Sequence, residues 1–140
     1  MKFDHPTAAE LPLVFDSWAR SFRKSPWAGC VPNHLWDHVS RTTIGEILDR
    51  GARVVVAHVE LEDGTRRVMG YSVSEPATAT LHYLYVKRDF RVGGHVEGEL
   101  LAETTRVFAE RPPRYTHKTH ALARLLRGWV HDPVPARVKP

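Results

Sequence analysis

Seven residues, Phe90-Arg91-Val92-Gly93-Gly94-His95-Val96, have the composition and spacing in this chain best suited to chemistry. They make a basic, glycine-containing turn between a β-rich run ending at Lys87 and an amphipathic stretch that begins at Val96. A turn that feeds a helix presents backbone N–H groups without intrahelical partners, and the helix dipole favours negative charge there. Lys87, Arg88 and Arg91 add positive charge. The chemistry expected of this turn is anion binding, and a diphosphate-bearing cofactor is the ligand that suits it.

Other reactive types are sparse. His117-x-x-His120 lacks the i, i+4 spacing or the thiolate companions that zinc favours, so no metal is expected. Neither a nucleophile elbow nor a P-loop occurs. The single cysteine, Cys30, excludes an internal disulfide and reads as a small buried thiol.

The elements that must position the turn follow from periodicity. Lys2–His5 reads as a short first strand. Glu10–Lys24, with Leu11, Val14, Phe15, Trp18 and Phe22 three or four apart, predicts an amphipathic helix that stops before Pro26. A loop from Pro26 to Asn33 precedes a second helix over about His34–Arg50, capped by Gly51. Ala52–Glu60 and Arg67–Ser74 predict an antiparallel hairpin around Glu62–Thr65. Thr80–Lys87 is the next strand, followed by a helix from Val96 to Glu110, a short strand at Arg114–His120 and a last helix at Ala121–Val130. The resulting order, β-α-α-β-β-β-α-β-α, predicts an α+β fold with a mixed central sheet flanked by helices. A helical crossover makes the last two strands parallel, and a ligand groove is expected where antiparallel pairing changes to parallel.

A chain of 140 residues, 42% hydrophobic and 26% charged, suits one soluble domain over 1–132, with a proline-rich tail at 133–140. No apolar run reaches the length of a membrane span and the N-terminus has no signal-peptide core, so a cytoplasmic protein without a membrane partner is expected. A net charge of +4 points to an anionic partner without saying which.

The segment Leu84-Tyr85-Val86-Lys87-Arg88-Asp89-Phe90-Arg91-Val92-Gly93-Gly94-His95-Val96, with Leu100-Leu101, resembles the pattern L-x-V-x-x-x-x-R/Q-x-x-G-x-G/A of the GCN5-related N-acetyltransferase (GNAT) superfamily. Leu84, Val86, Arg91 and Gly94 fit. Val96 stands where a second small residue is usual, and Leu100-Leu101 lie one position further on. A one-residue insertion absorbed by Gly93-Gly94 would restore the register; the alternative is a turn that no longer holds pyrophosphate well, with acetyl-CoA binding weakened or lost. The element order is similar over nearly the whole chain, and the N-terminal half is similar to small phage-encoded members.

The resemblance implies an acetyl-CoA-dependent N-acetyltransferase whose primary-amine acceptor attacks the thioester directly. The diphosphate would lie on the N–H groups of Arg91, Val92, Gly93, Gly94, His95 and Val96. The pantetheine arm would pair with the strand edge at Tyr83, Leu84, Tyr85 and Val86, and the Val86 N–H would face the oxyanion. His82, Glu75 and His117 are the candidate bases, with an outward-facing strand histidine and a plain turn glutamate as the alternatives for the first two. Tyr83, Tyr85 and Tyr115 are candidate acids for the leaving thiolate, or packing residues of the sheet. Trp27, Asn33, His34 and Trp36 would cover the acceptor, or else anchor the two helices. The implied partner is a small-molecule or macromolecular amine. Nucleic acid is compatible with the basic surface but not required, and the short C-terminal strand leaves an edge for a second subunit. The alternative is a non-catalytic GNAT-fold protein that binds a partner protein or nucleic acid through that surface.

Overall fold

A computed structural model describes residues 1–22, 33–116 and 125–132. Strand β1 (Lys2–Asp4) leads into α1 (Leu11–Phe22) and α2 (Asn33–Asp49). Strands β2 (Arg53–Glu60), β3 (Arg66–Glu75) and β4 (Thr80–Val86) follow as a meander, then α3 (His95–Thr105), β5 (Arg114–Tyr115) and β6 (Val130–His131). The six strands form one sheet in chain order, antiparallel from β1 to β4 and parallel from β4 to β6. The expected α+β class and the parallel step after β4 are therefore present.

Local signals explain the helix limits. Before α1, the Thr7 N–H donates to Glu10 Oε1 at 2.9 Å and the Glu10 N–H to Thr7 Oγ1 at 3.3 Å, a reciprocal capping box. Beyond α2, Gly51 takes a φ of 87° while its N–H bonds Leu48 O and that of Ala52 bonds Ile47 O. This left-handed closure satisfies the last carbonyls.

The sheet separates two cores. Val14, Trp18, Ile44 and Ile47 of α1 and α2 pack on Val54, Val56, Tyr71, Val73 and Tyr83. Val96 and Leu100 of α3 pack on Val55, Ala57, Leu81, Leu84 and Val86. Strict alternation would put Leu81 and Leu84 on opposite faces. They share one because the β3–β4 register pairs Val73 with Tyr83 but Ser74 with Leu81, leaving His82 as the extra residue of a β-bulge.

Gly70 is required by close approach. A Cβ there would stand 2.4 Å from Tyr85 O and 3.1 Å from the Val86 Cα. Gly70→Ala is expected to destabilise the protein by about 1–3 kcal/mol, read as a lower urea midpoint with an unchanged m-value. An unchanged midpoint would contradict this close packing.

Two differences from the sequence reading concern the C-terminal third. The helix expected to reach Glu110 stops at Thr105, and Val107 is exposed while Phe108 turns in against Trp129, 6.2 Å away. Val130, expected to end a helix, instead pairs with Arg114 in β6. A strand of two residues offers no periodicity to read, and the preceding Gly128, with φ 85°, makes the turn that delivers it. The remainder of the expected strand and helix, 117–124, lies outside the described residues, as does the tail at 133–140.

Candidate functional site

Four polar side chains from four parts of the chain meet where β3 turns into β4. Glu75 ends β3, Pro76–Thr78 make a single 3-10 turn, and Ala79 adopts a left-handed φ of 49° that returns the chain to β4. His82 then bulges towards the α1 side, with its ring 6.2 Å from that of Trp18. Glu75 Oε1 accepts from Arg50 Nε at 3.0 Å and also from Arg50 Nη2, and lies 2.6 Å from His82 Nε2. On the other side of the ring, His82 Nδ1 is 2.9 Å from Thr116 Oγ1. His82 is fully buried, which corrects the outward-facing alternative, and Thr116 is 5% exposed. The bulge is the reason, since it turns the ring into the protein at a position that alternation alone does not fix.

The charge states follow from these partners. Burial opposes ionisation of Glu75, but the hydrogen bonds from His82 and Arg50 and the guanidinium charge outweigh it and hold the carboxyl at about 2. Burial pushes His82 below its ordinary 6.5, against the pull of Glu75, so the ring is neutral at neutral pH. An ionised carboxylate only accepts, so the ring proton is assigned to Nε2 and Nδ1 accepts from the Thr116 hydroxyl.

Acid should therefore loosen the fold in two stages. Below 6.5 the unfolded chain binds a proton at His82 that the folded chain refuses, and between 4.5 and about 2 it binds another at Glu75. Both make stability fall as pH falls. A urea midpoint that declines between about pH 7 and about pH 5 in the native protein, and less in His82→Gln, is the expected result. A flat native profile would contradict it.

The tyrosines mainly pack. Tyr83 is 1% exposed, stacks on Trp18 at 5.7 Å and shares a hydrogen bond of 2.9 Å with Ser17 Oγ. Burial pushes its hydroxyl well above the ordinary range, so it stays protonated. Tyr71 and Tyr85 continue the stack, 5.4 Å apart, and the Arg91 guanidinium lies 5.3 Å from the Tyr85 ring centroid. Tyr115 is buried in the α3-side core, 5.0 Å from the His131 ring. Trp27 and His117 lie outside the described residues. Asn33, His34 and Trp36 begin α2, and their side chains lie outside the description too.

At the far end of β4, the chain passes through two short 3-10 turns, Arg88–Phe90 and Val92–Gly94, into α3. Gly93 and Gly94 have φ of 79° and 67°, with nothing within 4 Å of either Cβ position. Gly94 caps α3, whose first turn opens beside the exposed Arg91, Val92 and His95. Arg91 Nε donates to Val86 O at 2.7 Å, tying the turn to the strand end. Leu84 and Val86 bury their side chains on the α3 side. The Lys87 N–H bonds Met69 O on the β3 side, so by strand alternation the Val86 N–H faces the β5 side. On that side the described register pairs Thr80 with Arg114 and Leu81 with Tyr115, while β4 runs on to Val86. One acidic group stands in the first turn of α3: Glu97, which has a buried Oε2 without a hydrogen-bond partner among the described residues.

Sequence reading missed Arg50, Thr116 and Ser17. Arg50 looks like a helix end and Thr116 a strand filler, and no local signal marks either. An open cleft of about 200 Å³ lies at the other side of the sheet, lined by Phe3, Asp4, His5, Arg53, Val54, Val55 and Glu103, and contains none of the candidate residues. Arg53 there is engaged with the Glu103 and Thr104 carbonyls and the Glu103 carboxylate. Among the described residues no group of three or more His, Cys, Asp or Glu could hold a metal, and no helix is long and apolar enough to cross a membrane. No protein-family model and no curated protein matches this sequence.

Proposed function

We propose that the protein is a GNAT-type acyltransferase that moves an acetyl group from acetyl-CoA to a primary amine. The observation that carries this reading is the pairing, at the two ends of β4, of a buried imidazole bonded to the partly buried Glu75 carboxylate with a left-handed glycine turn and helix N-terminus. From His82 to Val86 the strand spans about 13 Å at about 3.3 Å per residue, a length that an extended pantetheine arm can cover. The residues suit such a substrate: Gly93 and Gly94 leave room for phosphate to approach the backbone, and Arg88 and Arg91 supply charge. The change from antiparallel to parallel pairing at β4 supports the superfamily topology.

In this reading His82 takes the acceptor's proton and Glu75 holds the ring in its tautomer. Tyr83 keeps its proton and serves to fix the strand through Ser17 and Trp18.

Isothermal titration with acetyl-CoA and CoA tests the substrate, and free CoA released with a panel of amines tests turnover. Failure of both ligands to bind at millimolar concentration would sink the proposal. Binding without turnover would favour the non-catalytic reading, in which the exposed Arg67, Arg88 and Arg91 serve a partner protein or nucleic acid. Because Glu97 places a carboxylate at the phosphate end, Glu97→Gln is expected to tighten CoA binding by about 2–5-fold, the equivalent of about 0.4–1 kcal/mol. Weaker binding in that variant would place the diphosphate elsewhere.

A further inference from the structure

The open cleft of about 200 Å³ has no part in the scheme above, and it lies where the sheet is incomplete. Strand β1 pairs with Val56, Ala57 and His58, whereas β2 begins at Arg53. The β1-side edge of β2 from Arg53 to Val55 therefore carries no strand among the described residues. Val54 packs in the α1-side core and Val55 in the α3-side core, yet both line the cleft. The cavity is thus set at the sheet edge rather than on one face. Strand alternation turns the N–H and C=O of every second residue of this stretch towards the gap.

Two carboxylates and one guanidinium stand around it. Arg53 is engaged with α3: Nη1 donates to the Glu103 and Thr104 carbonyls, each at 3.3 Å, and Nη2 to Glu103 Oε1 at 3.4 Å. Arg106 donates to the same Glu103 carboxylate at 3.0 Å and 3.3 Å. Glu103 is thereby paired twice, and Asp4 is left as the anion of the cleft. Both neighbours of Asp4 approach one oxygen, His58 Nε2 lying 2.7 Å and Arg66 Nη1 3.9 Å from Oδ2. Oδ1 has no partner among the described residues, and the side chain is 57% exposed. The hydrogen bond from His58 holds this carboxyl below its ordinary range, so it is ionised at neutral pH. An ionised oxygen with open lone pairs beside a strand edge accepts hydrogen bonds and favours positive charge.

The kind of cation follows from the donors and the space. Among the described residues no group of three or more His, Cys, Asp or Glu could hold a metal ion. A primary ammonium needs fewer partners, since its N–H groups can divide between Asp4 Oδ1, a backbone carbonyl of β2 and water. The cleft has the volume of about seven water molecules, at about 30 Å³ each. That admits an ammonium on a short hydrocarbon tail, with Phe3 and Val55 as apolar wall for the tail. We propose that the cleft is a binding site for a small primary alkylammonium ion, held by Asp4 Oδ1 and the open edge of β2. Neither the His82 cluster nor the glycine turn lines it, so the site does not rest on the acetyl-CoA reading.

The probe is butylammonium, titrated into the full chain and followed by backbone amide NMR shifts. Binding should fall in the millimolar range, with the largest shifts at residues 3–5 and 53–55. Butanol has a similar shape without the charge, and tetramethylammonium has the charge without an N–H. Each should bind the native protein at least about tenfold more weakly. Asp4→Asn keeps the shape of the side chain and an acceptor for His58, and should weaken butylammonium by about tenfold. Urea unfolding of this variant separates a lost ligand from a lost fold. Shifts centred on the glycine turn or the His82 cluster would overturn the proposal. Equal affinity for butanol or tetramethylammonium would overturn it too, and that comparison requires no variant to fold. Unchanged affinity in folded Asp4→Asn would remove Asp4 as the group that holds the ion, and the proposal with it. Butylammonium bound at these residues in protein that fails to bind CoA would uphold this site and remove the acetyl-CoA reading.

Discussion

Glu75→Ala should lower the unfolding free energy by about 2–4 kcal/mol, because it removes one partner of a partly buried ion pair and strands the other. The Arg50 and Glu75 side chains are 12% and 20% exposed, so little water is at hand to replace the lost carboxylate. The same change takes the acceptor from His82 Nε2, whose ring is fully buried. Glu75→Gln keeps the shape and an acceptor oxygen but not the charge, and should cost less. The double variant Arg50→Met with Glu75→Leu should recover part of the loss, since paired apolar groups carry no desolvation penalty. Urea unfolding of the native protein, Arg50→Met, Glu75→Leu and the double variant supplies the cycle. A loss below about 1 kcal/mol in Glu75→Ala would mean that the pair behaves as a surface bridge. If the dyad drives transfer, Glu75→Gln should also lower turnover by up to about 10⁴-fold while the protein remains folded, because the ring loses its fixed tautomer.

Trp18→Ala is the second substitution with a large expected cost, about 3–5 kcal/mol. Trp18 has no exposed surface, lies nearly parallel to Tyr83 with an interplanar angle of 7°, and sits against His82. Its removal opens a cavity under both residues and takes away the stacked partner that holds the Tyr83 ring. Trp18→Phe should cost clearly less, since most of the volume and one aromatic face remain. Near-equal urea midpoints for the alanine and phenylalanine variants would show that the site collapses to fill the gap. The alanine variant should also loosen His82 and reduce its reactivity.

Most of the sheet and two helices could be read from the chain because their causes are local. Val14 and Trp18 stand four apart, Gly51 ends α2, and the Asp63-Gly64 turn joins β2 to β3, with Thr65 bonding the Asp63 carboxylate. The candidate site was only half legible. His82, Glu75 and the glycine turn carry reactive types in a recognisable order, whereas Arg50 reaches Glu75 across 25 positions and Thr116 reaches His82 across 34. Neither partnership leaves a pattern in sequence, because the residues meet only once the helices have docked and the sheet has added β5. The bulge was hidden for a related reason. A Leu81-His82-Tyr83-Leu84 run reads as plain alternation until its neighbour in β3 shows which position is extra.

The identity of strand order with chain order has a consequence for assembly. Within β2, β3 and β4, contacts between successive strands close short loops, and such loops form early at little entropic cost. The β2–β3–β4 meander needs only its two turns, so the carboxylate and imidazole can be neighbours before the C-terminal third has a place. Thr116 comes with β5, after α3 has crossed over. The hydroxyl is thus the last of the three to arrive. It is also held by the short strands at the sheet's edge, where opening costs less than global unfolding. Lifting that edge would disconnect the hydroxyl and leave the ion pair and both cores in place.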